Sequence, residues 1–189
     1  MFLCINLMFS FIEVALFTKS DLLFYKNTVN RDESLAIAEI LQEIKQAYNL
    51  SDLEGILVSQ GPGRFTALRV GVSVAQTLAY TQNIPLYPFQ SSQYFQSFNI
   101  QKEVIFLQQV GLQEVFIKGK RYKFEELENL YPENLSWIGD VRTLHLLPDT
   151  WEQEEMPKRD LDFFLKLKSL TKAEKSVSIE YGKEPNIFK

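Results

Sequence analysis

The stretch Gly55–Tyr80, GILVSQGPGRFTALRVGVSVAQTLAY, constrains this chain more than any other. Gly55-Ile56-Leu57-Val58-Ser59 is a short apolar run ending in a small polar residue, the pattern of a buried strand. Gln60-Gly61-Pro62-Gly63 follows, and glycines flanking a proline predict a tight turn. From Phe65 onward the period becomes helical, with Ala67, Gly71, Ala75 and Leu78/Ala79 on one stripe and Val70, Val74 and Thr77 beside it. Only Arg69, Ser73, Gln76 and Tyr80 share a clearly polar face. An apolar arc that wide predicts cover from a sheet and from at least one further helix. The small stripe Ala67-Gly71-Ala75-Ala79 lets that neighbour approach closely.

The rest of the chain supplies a sheet for this unit. Met1–Met8, Phe11–Phe17 and Leu22–Val29 are β-rich runs. A helix follows, capped by Asn30 or Asp32, with Asp32 and Glu33 placing negative charge in its first turn. Ile37, Ile40/Leu41, Ile44 and Ala47/Tyr48 form its apolar stripe, and Asn49-Leu50-Ser51-Asp52 ends it. After the second helix, Asn83–Pro88 reads as a proline-fixed edge strand, and Ser91–Phe98 as a short helix capped by Ser91 or Ser92. Strands are expected at Val104–Leu107, Glu114–Ile117 and Tyr122–Phe124, the last two joined through Lys118-Gly119-Lys120. Phe124–Leu130 is helical, Leu135–Ile138 a strand closed by Gly139-Asp140, Asp149–Pro157 a loop, and Arg159–Leu170 a helix. No internal repeat is visible.

The residues GPGRFTALRVGVSVAQTLAY closely resemble the signature of the TsaB (YeaZ) family, which reads roughly GPGSFTGLRIGxxxAxGLA. Gly61, Pro62, Gly63, Phe65, Thr66, Leu68, Arg69 and Gly71 fall on matching positions. The looser resemblance covers about the first 120 residues. It implies an α/β, actin-like ATPase (ASKHA, ribonuclease H-like) fold of two βββαβα-type lobes. The amino-terminal lobe would span 1–100 and carry the signature, and a reduced carboxy-terminal lobe and tail would span 101–189. It also implies a structural duplication that the sequence hides.

Family members are non-catalytic subunits of the bacterial system that installs threonylcarbamoyl on adenosine in certain tRNAs. Residues where this chain departs from the family bear on chemistry. Active members of the superfamily carry an Asp at the end of the first strand, which organises Mg²⁺ and water near the phosphates. The TsaB pattern there is Asp-Thr-Ser-Thr, whereas this chain has Asn6-Leu7-Met8-Phe9. In the second lobe the family's Asp-Ala-Arg is replaced by Gln109-Val110-Gly111, ahead of Glu114-Val115-Phe116. Both charged phosphate-side positions are lost, which argues against phosphoryl transfer and against a sugar or carboxylate kinase.

Catalytic relatives that transfer the threonylcarbamoyl group bind metal through His-x-x-x-His on the first helix. That helix has no histidine here, and His145 is the sole one in the chain. One imidazole without nearby cysteine makes no zinc site, so His145 reads as a core or surface residue. Cys4, the only cysteine, lies in an apolar strand and reads as buried and inert. A single cysteine permits no internal disulfide, consistent with a reducing cytoplasm. No Ser/His/Asp or HExxH arrangement supports a glycoprotease. The apolar start MFLCINLMFSFIEVALF lacks a basic leader and is broken by Glu13, so it reads as core strands rather than targeting or a span. A net charge of −4 disfavours direct strong grip on tRNA.

Two binding features remain. The turn Gly61-Pro62-Gly63-Arg64, entering the helix through Phe65 and Thr66, offers backbone N–H groups to an anion, or else simply lets a strand enter a closely packed helix. No cofactor is expected. The resemblance implies that the first helix and the signature helix dock on a TsaD-like catalytic subunit, with a TsaE-like ATPase in the same complex, or pair with a second copy when alone. The partner-facing residues would be Leu35, Ala38, Leu41 and Gln42 with Val70, Ser73, Val74 and Thr77. The alternatives are a divergent homodimeric structural protein outside the tRNA pathway, and an active kinase or glycoprotease of the same superfamily.

Overall fold

The computed structural model describes residues 1–30, 32–100, 103–110, 112–118, 120–131 and 134–180. Gly111, Gly119 and the segment 181–189, which figure in the readings above, lie outside the described residues.

Three strands open the chain: β1 (Phe2–Asn6), β2 (Ile12–Phe17) and β3 (Leu22–Thr28). β2 pairs antiparallel with both neighbours, and Asn6 stands opposite Glu13 at the hairpin end. Helix α1 (Glu33–Ala47) starts where Asp32 accepts the Leu35 N–H at 3.0 Å, so Asp32 rather than Asn30 is the cap. β4 (Gly55–Gly61), α2 (Phe65–Gln82) and β5 (Leu86–Gln90) complete a sheet of order β3-β2-β1-β4-β5, with β1, β4 and β5 parallel.

All residues of β1 and β2 are buried, because both faces of the sheet are covered. One face, with Leu3, Ile5, Val14, Ile56 and Val58, packs under α1 and α2. The other, with Cys4, Ala15, Phe17, Leu57 and Phe89, packs under the short helix α3 (Ser91–Gln96) and α5 (Leu161–Ser169). Strand alternation sorts the two sets. The aromatic richness of the sequence is concentrated here: Tyr94 meets Phe9, Phe98 and Phe163 at ring separations of 5.0–5.4 Å.

The second sheet contains β6 (Ile105–Gln109), β7 (Glu114–Ile117), β8 (Lys120–Lys123), β9 (Ser136–Asp140) and β10 (Glu152–Gln153), with α4 (Phe124–Leu130) between β8 and β9. Its order, β8-β7-β6-β9-β10, repeats the first sheet strand for strand. The duplication implied by the family resemblance is therefore present in topology without a repeat in sequence. What is reduced is the helix between the fourth and fifth strands. In the first lobe that is α2, and in the second only a turn of 3₁₀ helix, Leu144–Leu146.

Four local readings need correction. Strand β5 begins at Leu86 instead of Asn83, because α2 runs to Gln82 and Asn83 ends it in the left-handed region at φ 53°. Helix α3 is not capped by Ser91 or Ser92; the Gln93 side chain returns to the Gln90 N–H at 2.8 Å. The stretch Asp149–Pro157 is not all loop, since β10 pairs with β9 within it. Finally, α5 follows the second sheet in sequence but packs against the first, with Phe163, Phe164 and Leu167 buried among Phe2 and Phe17. Its apolar face finds a large aromatic surface there, whereas the second sheet's core is closed by Phe124, Trp137 and Trp151. Glu174 then bridges to Leu86, and residues onward to Glu180 run beside α2 and β4.

Candidate functional site

The signature turn sits where β4 hands over to α2, against the β1–β2 hairpin. Gly61 has φ 124°, open to glycine, and a Cβ there would lie 2.1 Å from the Glu180 carbonyl oxygen. At Gly63 a Cβ would meet the Met8 carbonyl oxygen at 2.5 Å, so this glycine is demanded by close approach of two backbones. Arg64 pairs with Glu33 at the start of α1. Phe65 and Thr66 are exposed, and Arg69 lies over the Phe65 ring at 3.9 Å. Glu180 adds a carboxylate at the mouth of the turn, held by Gln90 Nε2 at 2.7 and 2.8 Å. Thus Gly61 and Gly63 are occupied by packing, Arg64 is neutralised by Glu33, and a negative group stands nearby. The geometry favours the packing reading of this turn over an anion cradle.

Along the small stripe of α2 the close neighbour is the sheet. A Cβ on Gly71 would lie 3.3 Å from Leu7 and 3.6 Å from Ile5, so Ala67, Gly71, Ala75 and Ala79 let α2 settle onto β1.

The hairpin between β1 and β2, the phosphate-side loop of an ATPase of this fold, is filled by its own side chains. Leu7, Met8 and Phe9 are buried. The Leu7 N–H donates to Ser59 Oγ at 3.0 Å, which removes a free donor from the loop. From the second lobe, Gln108 Nε2 donates to the carbonyls of Met8, at 3.2 Å, and Pro62, at 2.7 Å. Gln109 Oε1 accepts from the N–H groups of Arg142, at 2.7 Å, and Thr143, at 3.1 Å. Asp140 accepts the Ser10 N–H at 2.7 Å and also its hydroxyl. Gln108 and Asp140 therefore stitch the two lobes together beside this hairpin, whereas Gln109 is tied within the second lobe. The sequence reading treated Gly139-Asp140 only as the end of a strand, and nothing local signalled its bond to Ser10.

Asn6 belongs to a buried polar cluster that sequence reasoning also missed. Glu13 is wholly buried, yet its two oxygens are served from four elements. Asn6 Nδ2 donates to Oε2 at 3.1 Å, and Tyr25 and Tyr94 donate their hydroxyls to Oε1 at 3.1 and 3.0 Å. Arg159 Nε lies 3.0 Å from the same oxygen and 2.9 Å from Tyr94 Oη. A buried carboxylate persists only when paired and hydrogen-bonded in this way. Burial, then the Glu13 charge, pushes the Tyr25 hydroxyl up to about 12 and Tyr94 well above its ordinary range. Burial works against the Arg159 cation, but Tyr94 and Glu13 outweigh it and hold it protonated to higher pH. The same cluster explains why position 6 is an amide: an aspartate would oppose Glu13. The signal in the sequence was a lone carboxylate inside an apolar strand.

The helical candidates lie on α1 and α2. Leu35 is 53% exposed, Ala38 and Gln42 are exposed, and Leu41 is half-buried. On α2, Ser73 and Thr77 are exposed and Val70 and Val74 half-buried. The helices touch, and Arg64–Glu33 ties their amino-terminal ends. The stretch beyond Glu174 covers a different flank of α2, where Gln76 Nε2 donates to the Val177 carbonyl at 3.0 Å.

His145 is exposed in the 3₁₀ turn. Cys4 is buried, and its thiol is pushed well up by burial and by Glu13, leaving it a poor nucleophile. Among the described residues no group of three or more His, Cys, Asp or Glu is arranged to hold a metal, and no helix is long and apolar enough to cross a membrane.

Comparison with known proteins follows the same lines. The family model described as TsaD: tRNA N6-adenosine threonylcarbamoyltransferase matches residues 27–130, more than half of the chain. The tRNA N6-adenosine threonylcarbamoyltransferase of Syntrophus aciditrophicus is 49% identical over 51 residues, covering 26% of this chain and 15% of that protein. The protein of the same description from Listeria monocytogenes serotype 4b is 48% identical over 48 residues, 25% of this chain and 14% of its own length. The chain thus spans about 15% of the length of the curated relatives it matches. A crystal structure described as an uncharacterized protein with similarity to peptidase YEAZ from Pseudomonas aeruginosa superposes with TM-score 0.71 at 15% identity, covering 96% of this chain and 99% of that one. The structure of YeaZ from Pseudomonas aeruginosa gives TM-score 0.63 at 17% identity, covering 89% and 90%. The fold is therefore that of the YeaZ structures, an α/β, actin-like ATPase fold.

Proposed function

Because the chain belongs to the family described as TsaD: tRNA N6-adenosine threonylcarbamoyltransferase, we propose that it serves tRNA threonylcarbamoyladenosine formation as a non-catalytic, TsaB-like subunit. Its role is to dock on and stabilise a TsaD-like transferase. The observation that carries this reading is the β1–β2 hairpin, filled by its own side chains and tied to the second lobe. Leu7, Met8 and Phe9 fill the phosphate-side loop, and Gln108 and Asp140 bind the lobes across it. A subunit that bound nucleotide there would have to break each of these contacts first. The sole histidine, His145, lies far along the chain from α1, where catalytic relatives carry a metal-binding pair.

The docking surface in this proposal is the α1–α2 face: Leu35, Ala38, Leu41 and Gln42 with Val70, Ser73, Val74 and Thr77. Exposed and half-buried apolar side chains on two adjacent helices favour a protein partner. Without that partner the same face pairs two copies. A TsaE-like ATPase joins the complex in the cytoplasm, and tRNA is held by the partners, since this chain carries a net charge of −4. The division at residue 100 into two lobes is part of the same proposal, with α5 lying against the first sheet.

Co-purification with the TsaD-like protein of the same organism, followed by sizing with and without ATP, tests the reading. A one-to-one complex that replaces a homodimer is expected. Val74→Arg, and independently the exposed Ser73→Arg, abolish that complex while leaving the circular dichroism spectrum unchanged. A homodimer indifferent to the TsaD-like protein would replace this reading with that of a self-associating structural protein.

A further inference from the structure

A cavity of about 310 Å³ opens between the lobes, away from the α1–α2 face. Its first-lobe wall is α3, through Ser91, Ser92 and Phe95, and its second-lobe wall is the sheet, through Phe106, Phe116 and Lys118. The size falls within the range of small-molecule sites.

The lining specifies a chemistry. Phe95 and Phe106 stack at 4.6 Å and 16°, crossing the lobe boundary and giving the cavity a flat aromatic side, and Phe116 adds a third ring. Among the described residues, Lys118 is exposed, has no carboxylate partner, and is the only charged residue lining the cavity. Ser91 and Ser92 bring hydroxyls to the opposite wall. Gln108 also borders the cavity and is 1% exposed. Both of its amide hydrogen bonds leave through Nε2, toward Met8 and Pro62, so Oε1 is the end left over, and it has no donor. Aromatic walls, two hydroxyls and one unpaired cation suit a flat, mostly apolar molecule with a single acidic end.

We propose that this inter-lobe cavity binds a planar aromatic carboxylate, its rings against Phe106 and Phe116 and its acid group at Lys118. Since the walls come from both lobes, the bound molecule holds them together. The site does not depend on the docking face.

The test is a fluorescence titration of the whole chain with naphthalene carboxylate, with naphthalene carboxamide as the uncharged control. Saturable one-to-one binding of the acid is expected. The amide on the native chain, and the acid on Lys118→Gln, bind about tenfold or more weakly, as loss of a charge-assisted hydrogen bond requires. Ser92→Trp fills the cavity and removes both binding and the rise in thermal midpoint that the acid causes. Lys118 is at the surface, so its variant folds and keeps the test decisive even if Ser92→Trp does not. Absence of saturable binding, equal binding of acid and amide, or indifference to Lys118→Gln overturns the proposal.

Discussion

Asn6→Asp restores the acidic residue that active members of this superfamily carry at the end of the first strand, and it tests why this chain lacks one. Asn6 Nδ2 lies 3.1 Å from Glu13 Oε2, and Glu13 is fully buried. Two carboxylates at that separation repel by about 5 kcal/mol at an effective dielectric near 20. The pair escapes by keeping one proton. Holding a carboxyl of ordinary pKa near 3.9 protonated at neutral pH costs about 4 kcal/mol, less whatever the retained O–H···O bond returns. The smaller figure sets the loss, so a destabilisation of about 3–4 kcal/mol is expected at neutral pH. Its sign follows from linkage. The carboxyl pKa is raised in the folded state, so between the unfolded and folded values only the unfolded chain releases the proton. Stability relative to wild type therefore falls as pH rises from about 4, by roughly 1.4 kcal/mol per unit, until the folded pair itself titrates. Urea unfolding of both proteins across this range measures it directly. For a chain of this size the loss corresponds to about 6–15 °C in melting temperature near neutrality. Glu13→Gln in the same chain removes the like charge and recovers most of the loss. A loss independent of pH, or none at neutrality, refutes the account of Asn6.

Three further outcomes follow from the same geometry. Arg159→Met leaves the buried Glu13 carboxylate without its cation and lowers urea stability by about 3–5 kcal/mol, and Glu13→Gln alongside it recovers part of that. A loss well below 1 kcal/mol would mean Glu13 does not need the cation. At alkaline pH, the raised Tyr25 and Tyr94 hydroxyls stay protonated in the folded chain while the unfolded chain ionises from about pH 10. Their contribution is complete below that value and is lost as pH climbs toward the folded value of about 12 for Tyr25. Tyr25→Phe with Tyr94→Phe flattens this fall in the unfolding midpoint. Gly63→Ala places a Cβ 2.5 Å from the Met8 carbonyl oxygen, where neither backbone yields cheaply. It lowers stability by about 1–3 kcal/mol in thermal unfolding, and an unchanged midpoint would show that the signature glycine is not there for close approach.

Much of the first lobe was legible because its signals are local. The strand–turn–helix at Gly55–Gln82 and the Asp32 cap are written in period and spacing over a few residues. Asn6 and Gln109 also stood out by their departure from a pattern. The proposed α1–α2 face was read from helical stripes on two helices that touch in the structure.

Other features have no local signature. The Glu13 cluster gathers side chains from β1, β2, β3, α3 and the segment before α5, with Tyr94 81 positions from Glu13. Asp140 reaches Ser10 across 130 positions, and Gln108 reaches Met8 across 100. The second sheet repeats the first in strand order because the topology of short strands is set by which backbones can pair, not by shared residues. By itself, then, the sequence determined the elements, the resemblance and the departures from the family pattern at Asn6 and Gln109, since each depends on residue type within one short window. Only the tertiary structure decided that α5 closes the first sheet, that Glu13 is stable in the core, and that Gln108 and Asp140 reach across to the first lobe. Those outcomes rest on burial and on hydrogen bonds between distant residues, which exist only once the chain has folded.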